Sequence, residues 1–296
     1  MENLQTYDSL FQKDLATFYD AEEIKNIFYI VIEDVLGLSR MQYSVNKDLV
    51  LSAEQGIRMS HILNDLVQQK PIQHILKKAD FYGEVFEVNP FVLIPRSETE
   101  ELVDMIIRHH KDQSPLRIID IGTGSGCIPI SLKRHLKEAQ ISALDISKEA
   151  IATAKRNAQR LDTPINFVNA DILEWEYIFQ SQQYDIIVSN PPYITPKEKE
   201  EMHPNVLEFE PHLALFVEET APLLFYETIA SFALKHLTAD GDLYFEINQY
   251  YGDETVDMLR KKGFKTVELY HDMQQNPRMI HAKKIGEQKI NYFITK

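Results

Sequence analysis

Cysteine is nearly absent from this 296-residue sequence: Cys127 stands alone. An internal disulfide is therefore impossible, and no Cys/His cluster has the spacing of a structural zinc site, so a reducing compartment fits. No apolar run approaches the length that spans a bilayer, and the first residues, Met-Glu-Asn-Leu-Gln-Thr, lack a charged-then-apolar signal pattern. The expectation is a cytoplasmic protein without membrane contact. A basic stripe is missing too. The formal net charge is −14 and the basic residues are scattered, which removes the electrostatic term that drives non-specific binding to phosphate backbones. Direct nucleic-acid binding is not expected. There is no internal repeat or low-complexity segment. What remains is an ordinary globular composition, 44% hydrophobic and 26% charged, in a chain long enough for one large domain and a small one, or two medium ones.

From Leu4 to about Lys70 the pattern is helical. Tyr7, Leu10, Phe11, Leu15 and Phe18 recur at one-face spacing, as do Ile24, Ile27, Phe28, Val31 and Val35. A third helix is expected over Ser52 to Gln69, capped by Ser52 with Gln55 and turning Leu63, Leu66 and Val67 inward. We expect residues 1–80 to form a helical recognition domain. Phe81 to Ile94 changes to an alternating pattern with Asn89-Pro90 in its middle, which predicts a β-hairpin linker over 81–96. Ser97 and Glu100 then read as a capping box for a helix carrying Leu102, Met105 and Ile106, the start of a catalytic domain over 97–296.

From Pro115 strands and helices alternate. Strands are expected near 116–121, 141–146, 165–168, 184–188 and 242–247, with helices between them. Such alternation means parallel strands covered by helices on both faces. Thr266 to His271 and Met279 to Ala282 are joined by about six residues, too few for a helical crossover, so this pair must be antiparallel. The fold class is α/β, Rossmann-like and doubly wound: a mostly parallel seven-stranded sheet with an antiparallel terminal strand, plus the small N-terminal helical domain.

Two loops carry the chemistry. The first, Asp120-Ile-Gly-Thr-Gly-Ser-Gly126, joins a strand to a helix as a nucleotide-type cofactor site requires. A dinucleotide fingerprint would need a small residue at 127, where Cys stands; the third glycine comes early, at Gly126, and an acid precedes the loop. That favours a cofactor without phosphates. S-adenosylmethionine fits, because Gly122, Thr123, Gly124, Ser125 and Gly126 allow close backbone approach and acidic neighbours suit its positive charges. Asp145 ends the second strand, where a carboxylate can accept both ribose hydroxyls; Asp171 ends the third, suited to the adenine amino group, with Ile172 for the ring face. Singly, such features are commonly a turn, a helix cap and an apolar filler at Cys127. Their order along one chain argues for the site.

The second loop, Asn190-Pro191-Pro192-Tyr193, follows the apolar strand Tyr184 to Ser189. Its two prolines fix φ and remove two N–H donors, leaving nearby carbonyls available to a ligand. Asn190 adds a side-chain carbonyl and Tyr193 an aromatic face, so the loop can grip a planar NH2 group by both hydrogens and stack on its plane.

With these residues in view, the chain resembles class I S-adenosylmethionine-dependent methyltransferases, and within them the HemK/PrmC-type N5-glutamine methyltransferases that modify the Gly-Gly-Gln loop of peptide-chain release factors. The likeness is sharpest in Pro71-Ile-Gln-His-Ile-Leu76, Ile94-Pro-Arg-Ser-Glu-Thr-Glu100, Asp120 to Gly126, Asn190 to Tyr193 and Phe209-Glu-Pro-His-Leu-Ala-Leu215. Ser97 stands where the family usually has Pro, Lys77 where Gly is common, and Glu246 to Gly252 departs from the usual glycine-rich stretch. The resemblance implies a release factor as protein partner and cofactor contacts at Gly122 to Gly126, Asp145, Asp171, Ile172 and Asn190. It implies catalysis at Asn190, Pro191, Pro192 and Tyr193. A glutamine amide nitrogen is planar and a poor nucleophile, so positioning carries much of its rate. Asn190 Oδ1 and the Pro191 carbonyl would each accept one amide hydrogen while Tyr193 holds the plane, with no metal needed.

Two other functions stay open on the sequence. One keeps the chemistry and methylates an exocyclic amine of RNA or DNA, since Asn-Pro-Pro-Tyr specifies only an acceptor NH2; the other is a non-catalytic binding module. His109-His110 reads as solvated and His203 and His212 lack metal spacing; Arg96, Glu98 and Glu210 are family-like polar residues that could shape the site, and capping and surface ion pairing explain them nearly as well.

Overall fold

The computed structural model describes residues 3–113, 115–201 and 204–284. His203 and the tail from residue 285 lie outside them. The chain divides into two compact units, Met1–Lys78 with His203–Phe209, and Ala79–Met202 with Glu210–Lys296.

The first unit is helical. Helix Leu4–Leu15 starts at Asn3, whose side chain accepts from the Thr6 amide. Helix Ala21–Leu36 starts at Asp20, which accepts from the Glu22 and Glu23 amides, and closes on Gly37 in the left-handed region. Helix Ala53–Val67 carries the expected capping box between Ser52 and Gln55. Two short helices, Arg40–Val45 and Ile72–Leu76, lie outside the sequence expectation. Leu4, Phe11, Leu15, Phe28, Val31 and Met59 are fully buried among the helices. Two expected core positions differ: Phe18 falls beyond the first helix, and Val67, a helical step of ~100° past buried Leu66, is exposed.

The second unit begins with a hairpin, β1 (Lys78–Phe81) and β2 (Glu84–Glu87). Its turn is Tyr82-Gly83, not Asn89-Pro90. Both residues have positive φ, 48° and 79°, as a tight two-residue hairpin demands. Tyr82 tolerates this because its amide donates to Glu100 Oε1 at 2.7 Å and its hydroxyl to Asp104 Oδ1 at 3.0 Å. Glu100 is thereby taken from the expected capping box. Helix Ser97–His110 has no side-chain cap, and Ser97 is its first residue, where the family's usual proline fits without loss. Asn89 instead accepts from the Phe91 amide after the hairpin.

The sheet contains β3 (Arg117–Ile121), β4 (Gln140–Asp145), β5 (Asn166–Asn169), β6 (Tyr184–Ser189), β7 (Leu237–Glu246), β8 (Thr266–His271) and β9 (Pro277–Lys283). Their order is β5-β4-β3-β6-β7-β9-β8; the first five are parallel, and β9 runs antiparallel to both neighbours. The expected seven-stranded, mostly parallel sheet is present. Alternate residues face opposite layers. Ile119, Ile121, Ile187 and Phe245 pack with Tyr226, Ile229 and Phe232, whereas Ile118, Ile186, Val188 and Tyr244 pack with Leu102, Val103 and Ile106. Because both faces are covered, the central strands β3 and β6 are predominantly apolar along their length. No helix among the described residues is long and apolar enough to cross a membrane.

Candidate active site

Strand register assembles the site. Ile121 pairs with Leu144 and Ser189, and Ser189 with Phe245, so β3, β4, β6 and β7 end level with one another. The residues that follow, Gly122, Asp145 and Asn190, and Glu246 at the end of β7, therefore stand in a row at the sheet's carboxyl edge. The order reverses between β3 and β6, which makes this edge a switch-point crevice. A cavity of ≈ 530 Å³ lies there, within the usual range for small-molecule sites.

Its floor is the glycine loop. The Gly122 and Thr123 amides both donate to the Leu144 carbonyl, at 2.8 and 2.9 Å, and the Gly124 amide donates to Asp145 Oδ2 at 2.8 Å. Asp145 Oδ1 also accepts from the Ser147 amide. Burial nevertheless pushes the Asp145 carboxyl above the usual carboxylate range, with these backbone bonds opposing the rise. Gly126 packs beneath the loop, at φ +82° and against Ala154 and Ile130.

Gly122, Thr123, Gly124, Ser125, Asp145, Asp171, Ile172, Asn190, Pro191 and Pro192 all line the cavity; Gly126 and Tyr193 do not. Asp171 also caps the short turn Ile172–Glu174 through the Leu173 amide. Under the loop, both oxygens of buried Asp120 and the hydroxyls of Thr123 and Ser125 complete no hydrogen bond among the described residues. Desolvation pushes Asp120 up to about 7, against a smaller pull from the nearby Thr123 hydroxyl, and the Asp145 charge adds to the rise. The Thr123 and Ser125 hydroxyls line the cavity and offer a guest polar partners, whereas Asp120 lies beneath them and lines no part of it. Apolar walls from Ile146, Leu173, Phe225 and Ile229 offer the flat surroundings an aromatic base needs. S-adenosylmethionine combines both properties, so the residues present fit it.

The acceptor loop is held from three sides. Asn190 Nδ2 donates to Thr99 Oγ1 at 3.3 Å, and Thr99 Oγ1 donates to Glu246 Oε2 at 2.6 Å. The Tyr193 hydroxyl donates to Glu246 Oε1 at 3.4 Å, while the ring packs against the core. Asn248 Nδ2 donates to the Tyr193 carbonyl at 2.9 Å and to both Glu198 oxygens. No described donor reaches Asn190 Oδ1 or the Pro191 carbonyl. Burial pushes Glu246 up to about 7; the Thr99 hydroxyl and Arg278 pull it back, Glu98 raises it further, and the Tyr193 hydroxyl lowers it.

Thr99, Glu246 and Asn248 were missed in the sequence. The available signal was Glu246 itself, a carboxylate closing the apolar run Leu243-Tyr-Phe as Asp145 closes its own strand. Two further expectations are corrected. His110 is buried, with Nε2 at 2.9 Å from the Tyr244 hydroxyl, because the last turn of the helix packs on the sheet, whereas His109 is exposed as expected, its Nδ1 equally close to that hydroxyl. Glu210 is also buried, holding the Ile94 amide and Arg96 in an inward ion pair of 2.6 Å.

Residues 99–208 match the family model described as Methyltransferase small domain, and residues 12–76 the PrmC N-terminal domain. A Flavobacterium psychrophilum protein named release factor glutamine methyltransferase is 47% identical over 280 residues, covering 94% of this chain and 98% of its own. Its namesake from Bacteroides thetaiotaomicron is 42% identical over 273 residues, covering 92% and 97%. Among solved structures, a Pyrococcus furiosus methyltransferase has a TM-score of 0.51 at 14% identity, covering 79% of this chain and 99% of that one. The Thermus thermophilus 16S rRNA methyltransferase RsmC, in complex with AdoMet and guanosine, has 0.52 at 15%, covering 70% and 50%. These two likenesses concern the fold alone.

Proposed function

Because the chain belongs to the release factor glutamine methyltransferase family, we propose that it transfers a methyl group from S-adenosylmethionine to the side-chain amide nitrogen, N5, of the glutamine in the Gly-Gly-Gln motif of peptide-chain release factors. The observation that carries the reading is one cavity in which the glycine loop, Asp145 and Asn190 meet at level strand ends. Gly122 to Ser125, Asp145, Asp171 and Ile172 hold the cofactor, and Gly126 shapes the loop from beneath. When bound, S-adenosylmethionine supplies an activated methyl group.

The chain's own residues then solve a positioning problem. Asn190 Oδ1 and the Pro191 carbonyl accept the two amide hydrogens, which orients the nitrogen and stabilises the positive charge that develops on it. Pro192 stiffens the loop. Tyr193 lies outside the cavity wall, so it supports the loop through Glu246 and the core instead of stacking on the amide. The helical unit serves to dock the protein substrate, and the site of action is the cytoplasm, where translation terminates. A protein substrate also suits a net charge of −14 better than a nucleic acid does.

The test is incubation with methyl-labelled S-adenosylmethionine and a release factor, beside the same factor with the Gly-Gly-Gln glutamine changed to alanine. Label on the intact factor alone is expected. Label on RNA or DNA, with none on the factor, would replace this reading by the exocyclic-amine one.

A further inference from the structure

An asparagine side chain has one accepting and one donating end of nearly equal shape, and only the accepting end can hold a substrate NH2. A half-turn about the terminal bond would set an NH2 against the substrate's own hydrogens. Something must fix the choice. Resting on the reading above, we propose that Thr99 and Glu246 are positioning residues: a hydrogen-bond relay from Glu246 through Thr99 forces the Asn190 amide to present Oδ1 to the substrate.

Donor and acceptor inventory carries the argument. Once Glu246 is ionised, as it is above its raised value, its carboxylate only accepts, so the 2.6 Å contact with Oε2 commits the single Thr99 hydroxyl proton. Thr99 Oγ1 can then only accept, and the side-chain group beside it is Asn190, 3.3 Å away. That position must hold Nδ2, leaving Oδ1 as the end without a protein donor. Thr99 is 3% exposed and Glu246 1%, so water does not scramble the polarity. Glu246 is braced by the Tyr193 hydroxyl on its other oxygen, and the charges facing it are Arg278 from β9 and Glu98 from the helix that carries Thr99. Neither residue needs to touch substrate. Three distant stretches of sequence meet here: strand register aligns the ends that carry Asn190 and Glu246, and the helix Ser97–His110 brings Thr99 between them.

The experiment compares Thr99→Val, isosteric but unable to accept, with Thr99→Ser, which keeps the hydroxyl, and with Glu246→Gln. Glutamine can offer an NH2 to Thr99, letting the hydroxyl donate to Asn190 and reverse the relay. Thr99→Val should lower kcat on the order of tenfold, the population ratio that one net hydrogen bond sets, with cofactor Kd and release-factor KM close to wild type. Thr99→Ser should restore kcat, and the double variant Thr99→Val/Glu246→Gln should be no slower than the slower single one, since both act on one bond. The inference is overturned if Thr99→Val keeps kcat within twofold, if serine fails to rescue, or if the two losses multiply. A wild-type protein that binds cofactor yet labels no glutamine overturns the functional reading itself, and the relay with it.

Discussion

Replacing Gly126 by alanine tests the geometry of the cofactor loop more sharply than any change at its surface. At φ +82° an L-residue costs ~1–2 kcal/mol. The new Cβ would also stand 3.0 Å from the Ala154 Cβ, 3.3 Å from its Cα and 3.1 Å from Ile130 Cδ1. Ile130 can rotate, but Ala154 belongs to helix Lys148–Arg160 and cannot move alone. Overpacking of this kind adds ~1–3 kcal/mol, for a total of about 2–5 kcal/mol. Gly124 is the internal control: its φ is +54° and nothing lies within 4 Å, so Gly124→Ala carries the conformational cost alone. The only tryptophan, Trp175, is buried against Phe232 in the sheet unit, so its fluorescence during urea unfolding reports on that unit. With a slope of ~2–3 kcal/mol/M, Gly126→Ala should lower the midpoint by roughly 0.7–2.5 M and Gly124→Ala by less. Equal shifts, or a neutral Gly126→Ala, would refute the packing argument.

Asp120→Asn should stabilise the protein at pH 8 and much less at pH 5. The carboxyl is raised from 3.8 to about 7, so its contribution to stability is complete below the unfolded value and is lost as pH rises through the folded one; an equal gain at both pH values would contradict this. Lys77 closes helix Ile72–Leu76 at φ +57°, so Lys77→Gly should stabilise the helical unit by ~1 kcal/mol, read as a higher urea midpoint by circular dichroism; a lower midpoint would count against it. Asp145→Ala should weaken S-adenosylmethionine binding at least on the order of tenfold by calorimetry, through both the lost contacts and the freed Gly124 amide. Normal affinity in a folded variant would remove Asp145 from the site.

The sheet was legible because its central strands are predominantly apolar and each loop motif, Asp120 to Gly126 or Asn190 to Tyr193, is contiguous. The hairpin turn was not. Tyr82-Gly83 has one turn-forming residue, and Tyr82 adopts positive φ through Glu100 and Asp104, about twenty residues away. The same cause hid the missing capping box, since Glu100 cannot serve both amides. Thr99, Glu246 and Asn248 were illegible for a related reason. Each is a single polar residue far in sequence from the Asn190 loop, and they reach it only because β6 and β7 end level and the helix Ser97–His110 packs beside them. His110 read as solvated because its partner, the Tyr244 hydroxyl, belongs to a strand 134 positions on.

The central claim concerns one nitrogen atom. A release factor incubated with S-adenosylmethionine and either the wild-type protein or Asn190→Ala should be digested and the Gly-Gly-Gln peptide fragmented in a mass spectrometer. The wild type should add a single methyl to the glutamine side-chain amide, and Asn190→Ala a far smaller fraction at saturating cofactor. A methyl group on any other residue of that peptide, or equal methylation by the two proteins, would contradict the claim.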